Sequence, residues 1–172
     1  MIFALTYAAI TERTRHSGES LENRRGYAGS FGGAHIVEGS TFRLLVDLEI
    51  QKAQRLHYCI SLLCVHVDSP QARPPDSAMT PVADLLFRHL RGTDAIAPYA
   101  NSSLGILLVD AETAHLPSIL GRLTEHLETV PWSAGGSCYP RNVTRADDLL
   151  RQAVDFMMRA KEYGGNRLLL PP

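Results

Sequence analysis

Cysteine, tryptophan and net charge are all scarce in this chain of 172 residues. The three cysteines, Cys59, Cys64 and Cys138, are odd in number and form neither a C-x-x-C pair nor a zinc-ligand spacing. No disulfide framework is expected, and buried thiols in a reducing cytosol suit the pattern. A formal net charge of -1 and a pI near 6.6 leave no basic field of the kind that drives non-specific nucleic-acid binding. DNA and RNA are therefore set aside as partners. Long apolar runs are also missing: residues 1–10 are apolar but about half of what a bilayer crossing needs, and they lack a basic leader and a small-residue cleavage site. No membrane contact is expected, and the chain reads as cytoplasmic.

What is present suits one good core, since 45% of the residues are hydrophobic. Residues 11–40 are polar and glycine-rich, with Arg13, Arg15, Arg24 and Arg25 interspersed, and read as a flexible linker. The run Gly29-Ser30-Phe31-Gly32-Gly33 is not followed by a Lys-Ser/Thr pair or a helical pattern, so it is no phosphate loop. The expected division is a mobile segment over 1–40 and a folded domain over 41–172.

Within that domain each segment can be placed from its periodicity. Thr41 is positioned to cap a helix to about residue 56, with Leu44, Leu45 and Leu48 on its inner side. Residues 58–67 are apolar and β-branched, which predicts a strand buried on both faces. Three prolines make 69–75 a loop, and Asp76 or Ser77 can cap a helix over 78–90. Strands over 95–99 and 104–109 flank the short polar turn Ala100-Asn101-Ser102-Ser103. A helix over 111–128, a glycine-bearing strand over 132–138, a helix to residue 162 opened by a Thr144–Asp147 capping box, and a last strand over 167–170 complete the order. This alternation predicts an α+β fold, a central mixed five-stranded sheet flanked by helices.

Several of these segments carry a further likeness. Arg91-Gly92-Thr93-Asp94 stands five residues before Ala100-Asn101-Ser102-Ser103-Leu104. Leu62-Leu63-Cys64-Val65-His66-Val67-Asp68, Ala134-Gly135-Gly136 with Tyr139-Pro140, and Ala160-Lys161 with Gly165-Asn166-Arg167 follow in order. Together they resemble the diguanylate cyclase (GGDEF) domain over residues 41–170, with its nucleotidyl cyclase-like fold. In that family an R-x-x-D binds the product, cyclic di-GMP, and the GGDEF turn binds and cyclises GTP.

The departures from the family pattern decide what the resemblance implies. Cyclisation is phosphoryl transfer and needs carboxylates that hold metal ions against the triphosphate. At the aligned positions stand His66 in the first strand and Ser103 in the turn, and only Asp68 persists. The turn glycines become Ala100 and Asn101, whose side chains crowd the approach of a triphosphate. Asp76 aligns with a guanine-contacting Asp and Lys161 with a phosphate-contacting Lys, so His66, Asp68, Asp76, Asn101, Ser102, Ser103 and Lys161 form a vestigial nucleotide site. No catalytic residue, cofactor or metal is expected. His66 and Asp68 share a strand face, but with no third ligand evident a hydrogen-bonded histidine is the preferred reading.

The product site keeps its polar groups. An arginine fork grips guanine O6 and N7, and a carboxylate suits the N–H donors of the other edge. Arg91, Asp94 and, by alignment, Arg122 supply these. The resemblance thus implies a catalytically inactive receptor for cyclic di-GMP in bacterial second-messenger control of biofilm, exopolysaccharide or motility. It would work through an unidentified protein effector and as a homodimer in some settings. The alternatives are a nucleotide-free scaffold for protein–protein interaction and a residual weak cyclase. Arg141, Arg145, Arg151 and Arg159 read as solvated, and Phe156, Met157 and Met158 as core filling.

Overall fold

The computed structural model describes residues 35–68, 89–99, 102–125 and 130–172. Elements are numbered over those residues. They are β1 (His35–Ile36), α1 (Gly39–Leu56), β2 (Ile60–Val67), β3 (Ala95–Tyr99), β4 (Ser103–Val109), a 3-10 turn (Thr113–His115), α2 (Leu116–Thr124), β5 (Trp132–Tyr139), α3 (Ala146–Glu162) and β6 (Arg167–Leu169). The expected loop over 69–75, nearly all of the helix expected over 78–90, and Asp76, Ala100 and Asn101 lie outside the described residues, as do residues 1–34.

The strands form one mixed sheet in the order β1-β3-β4-β2-β5-β6. β3, β4, β2 and β5 pair antiparallel, and the edge strands β1 and β6 pair parallel to their neighbours. The sheet is six-stranded where five were expected. The extra strand lies in the segment read as linker: His35 and Ile36 pair with Ala95 and Ile96. The amides of His35 and Val37 donate to the carbonyls of Asp94 and Ile96, each at 2.9 Å. Backbone groups on the open edge of β3 recruit this strand, so side-chain periodicity gives no sign of it.

Every residue of β2 but His66 is buried, because both faces of the sheet are covered. Ile60, Leu62 and Cys64 pack with α1 and α3 on one face, while Leu63, Val65 and Val67 pack with Leu116, Leu120 and Leu123 of α2 on the other. The period of two along the strand divides one apolar run between two cores. Burial removes Cys64 from water and pushes its thiol up to about 12, so it is an inert core group.

Expectations for each of the three described helices need correction. The buried face of α1 is Phe42, Val46, Ile50 and Ala53, whereas Leu44 and Leu48 remain 57% and 43% exposed. The α1 N-cap is Glu38 rather than Thr41, and no side chain bonds the freed amides. The helix expected from residue 111 starts as a 3-10 turn, in which Glu112 and His115 cap each other, and becomes α-helical at Leu116 with Pro117 in its first turn. At α3 the capping box is not formed: Arg145 is the N-cap and makes no side-chain cap, leaving Asp147 and Asp148 to complement the helix dipole. Met157 fills the core as expected, whereas Met158 is exposed.

α3 lies almost on the backbone of β5. A methyl group on Gly135 would stand 2.1 Å from the amide nitrogen of Met157 and 2.2 Å from the carbonyl oxygen of Ala153. Glycine is what allows the two elements to touch. Among the described residues no helix is long and apolar enough to cross a membrane.

Candidate functional site

The hairpin of β3 and β4 has two ends, and the expected site residues divide between them. β3 is five residues long, so the ends are separated by roughly 15 Å at about 3.3 Å per residue.

At the turn end, the β2–β4 register sets His66 opposite Ser103. His66 Nδ1 lies 3.0 Å from Ser103 Oγ, and Nε2 lies 3.0 Å from Asp68 Oδ1. Lys161, from the last turn of α3, places Nζ 3.0 Å from the same Asp68 oxygen and 2.7 Å from His66 Nε2. Four of the seven residues assigned to the vestigial nucleotide site are therefore one connected cluster. Ser102 adjoins it in the left-handed backbone region (φ 60°), and its carbonyl accepts from Val67 N–H at 3.0 Å. Asp76 and Asn101 lie outside the described residues.

The cluster is electrostatically closed. Partial burial works to raise the Asp68 carboxyl, but the hydrogen bonds from Lys161 and His66 and their nearby charge outweigh it and hold Asp68 below its ordinary value. The ammonium spends its charge on the single carboxylate, and the imidazole bridges that carboxylate to a hydroxyl. His66 Nε2 can donate to Asp68 or accept from Lys161, and in either tautomer Lys161 still donates to Asp68. Among the described residues no three His, Cys, Asp or Glu side chains gather as a metal site. The histidine is partly buried and hydrogen-bonded, as its lack of a third ligand suggested.

At the other end stands the Arg91–Asp94 turn, and here the expected arrangement changes. Asp94 is 3% exposed. Its Oδ2 accepts from the Arg91 amide at 2.9 Å and its Oδ1 from the Val109 amide at 3.1 Å. The Asp94 amide donates back to the Arg91 carbonyl at 3.0 Å, and the Asp94 carbonyl accepts from His35. Burial pushes the carboxyl above its ordinary value, against the opposing pull of the two amides and the Arg91 charge. Asp94 thus ties the turn to the end of β4 and to β1. Both oxygens of the carboxylate that was expected to face a guanine accept backbone amides inside the fold.

Arg91 itself is exposed and, among the described residues, makes no hydrogen bond or salt bridge through its guanidinium. Arg122 is likewise exposed on α2. The chain neighbours of the two, Leu90 and Leu123, belong to the same core cluster. What sequence reasoning missed is the role of Asp94 as a junction, since an Asp three residues after an Arg has the same spacing whether it closes its own turn or meets a ligand.

With this geometry in view, the comparisons with known proteins are specific. The GGDEF domain of the Pseudomonas aeruginosa protein YfiN (TpbB) superposes with a TM-score of 0.73 at 16% identity, covering 80% of this chain and 91% of that one. The fold is that of GGDEF domains. The GGDEF domain of Pseudomonas aeruginosa FimX gives a TM-score of 0.70 at 17% identity over 79% and 94% of the two chains. The GGDEF domain of Caulobacter crescentus DgcB, solved in complex with cyclic di-GMP, gives 0.67 at 14% identity over 85% and 94%. In sequence, the probable diguanylate cyclase DgcT of Escherichia coli K12 is 22% identical over 144 residues. That match takes in 72% of this chain and 32% of DgcT, so the chain spans about a third of its relative's length. No family model matches the chain.

Proposed function

We propose that this chain is a degenerate GGDEF domain that does not cyclise GTP and instead binds cyclic di-GMP as a receptor in bacterial second-messenger signalling, with Arg91 as its principal contact and Arg122 as a second. The observation that carries this reading is the contrast between the two ends of the β3–β4 hairpin. At the turn end, Lys161 and His66 occupy the Asp68 carboxylate, and the chemistry of metal-assisted phosphoryl transfer needs that charge free for a cation. At the far end, the Asp94 carboxylate accepts a hydrogen bond from the Arg91 backbone amide, which fixes the root of the side chain and leaves the guanidinium in solvent. A permanently charged, planar fork on a rigid root is suited to guanine and phosphate alike. The Caulobacter crescentus neighbour in this fold is a cyclic di-GMP complex, which supports the choice of ligand.

Within this reading no metal or cofactor takes part, and the output passes to a protein effector or to a second copy of the chain. The described residues from 35 onward belong to the receptor domain.

The burial of Asp94 favours a second reading, in which one half of the expected ligand pair has been given over to the fold and the domain works as a nucleotide-free scaffold. Two assays on the whole chain distinguish the readings. Incubation with GTP and Mg²⁺ or Mn²⁺, followed by chromatography, is expected to give no cyclic di-GMP; steady formation of product would restore the cyclase. Equilibrium dialysis against cyclic di-GMP is expected to show retention by the protein, and an equal distribution across the membrane would leave the scaffold.

A further inference from the structure

β1 has almost no apolar support of its own. It is two residues long, both side chains are exposed, and Ile36 is 46% open to solvent. What holds it is backbone. In a parallel pair alternate amides face the neighbouring strand, so those of His35 and Val37 point at β3 while that of Ile36 points away. His35 donates to the Asp94 carbonyl and Val37 to the Ile96 carbonyl, each at 2.9 Å.

The acceptor for His35 belongs to the same residue that roots Arg91. Asp94 takes the Arg91 amide on Oδ2 at 2.9 Å and the Val109 amide on Oδ1 at 3.1 Å, and its own amide donates to the Arg91 carbonyl at 3.0 Å. These bonds close the turn on itself and anchor it to the end of β4. Arg91 cannot be drawn aside without tilting the residue whose carbonyl receives His35, so Asp94 serves both the exposed arginine and the edge strand.

The strand has two arrangements open to it, paired with β3 or withdrawn from it. Few bonds separate them, and an element with exposed side chains and few buried contacts opens at low cost. Withdrawal stops at Val37, which packs against the core under α1, one residue before the α1 N-cap at Glu38. The rest of the sheet is therefore unaffected by the state of β1.

We propose that β1 is a strap coupled to the ligand site: cyclic di-GMP held by Arg91 fixes the turn and favours pairing of β1 with β3, and withdrawal of β1 weakens the grip on the ligand. This rests on the reading of Arg91 as the ligand contact. Coupling of this kind is reciprocal, so the two effects share one factor. A factor of about five is what one backbone hydrogen bond, made in one state and lost in the other, supplies. Ligand-free molecules then leave the carbonyls of Asp94 and Ile96 uncovered for more of the time, which places the change at a sheet edge.

The test uses the full chain with cyclic di-GMP as probe, followed by amide hydrogen exchange in NMR spectra and by titration calorimetry. Saturating ligand is expected to slow exchange at His35 and Val37 by about fivefold. The Gly165 amide, bonded to the Ala160 carbonyl beyond the opposite edge of the sheet, should not change. His35→Pro removes the donor to Asp94 and should bind the ligand about fivefold more weakly than wild type. His35→Ala keeps that donor, and Ile36→Pro removes an amide that faces away from β3, so both should bind as wild type does. Circular dichroism and thermal melting establish that each variant is folded. Equal affinity in His35→Pro and His35→Ala, or exchange at His35 and Val37 unmoved by ligand that binds, overturns the coupling and leaves the receptor reading intact. No binding by wild type overturns both.

Discussion

A single buried carboxylate organises the far end of the hairpin. Replacing Asp94 by Ala leaves the amides of Arg91 and Val109 without acceptors, and a loss of about 2 kcal/mol in urea unfolding is expected for buried donors stripped of a partner. Asn retains one acceptor oxygen, so Asp94→Asn should lose less. The two aspartates near the candidate sites respond to acid in opposite directions. Asp68 is held below the ordinary 3.8, so its contribution is fully present above that value and is lost as pH falls through its folded-state value. Asp94 is held above 3.8, so the native state binds its proton more tightly, and its ionisation lowers stability as pH rises from 3.8 through the raised value. Urea midpoints measured across the acid range should therefore decline less steeply below pH 3.8 in Asp68→Asn than in wild type. An unchanged decline would mean that the Lys161–Asp68 bond contributes nothing in solution. The positions of Arg91 and Asp94 were legible in the sequence, but the direction of the Asp94 side chain was not, because a turn-closing Asp and a ligand-reading Asp have identical spacing.

Among the secondary elements, strands were easier to read than helix faces. β2, β3, β4 and β5 each fall within two residues of the expected bounds, because a short apolar run bounded by turn residues leaves few alternatives. α1 offered two apolar stripes. Phe42, Val46, Ile50 and Ala53 won over Leu44 and Leu48, and the Phe42 ring sits where a side chain on Gly105 would stand, 3.1 Å from that would-be methyl. That complementarity between a helix and a strand distant in sequence is invisible to periodicity. Accordingly, Leu48→Gln is expected to change stability by less than about 0.5 kcal/mol, as exposed positions do. Val46→Ala should lose about 2 kcal/mol from the core. Gly135→Ala is the severest change predicted: its methyl group meets backbone atoms of α3, which cannot rotate away, and a loss of more than about 3 kcal/mol, or failure to fold, is expected. Thermal melts of the three variants side by side check the ranking. β1 escaped notice for the converse reason, since two residues held by backbone bonds carry no pattern at all.

For the whole of the described domain, one sheet with two covered faces leaves its chemistry at the strand ends. The alignment of His66, Ser103 and Lys161 with family positions was readable from the sequence. Their closure into a single hydrogen-bonded cluster with Asp68 was not, because Lys161 lies 95 residues from His66 and reaches it only through the packing of α3 on β5. The central claim is that Arg91, rooted by Asp94, grips cyclic di-GMP. Binding of this doubly anionic ligand should weaken as salt rises. Isothermal titration of cyclic di-GMP into wild type and Arg91→Ala tests the claim most directly. The account predicts saturable heat from wild type and an affinity lower by about tenfold or more in the variant, the loss of one charged hydrogen-bonding fork. Equal affinity in the two proteins, or no heat in either, would contradict it.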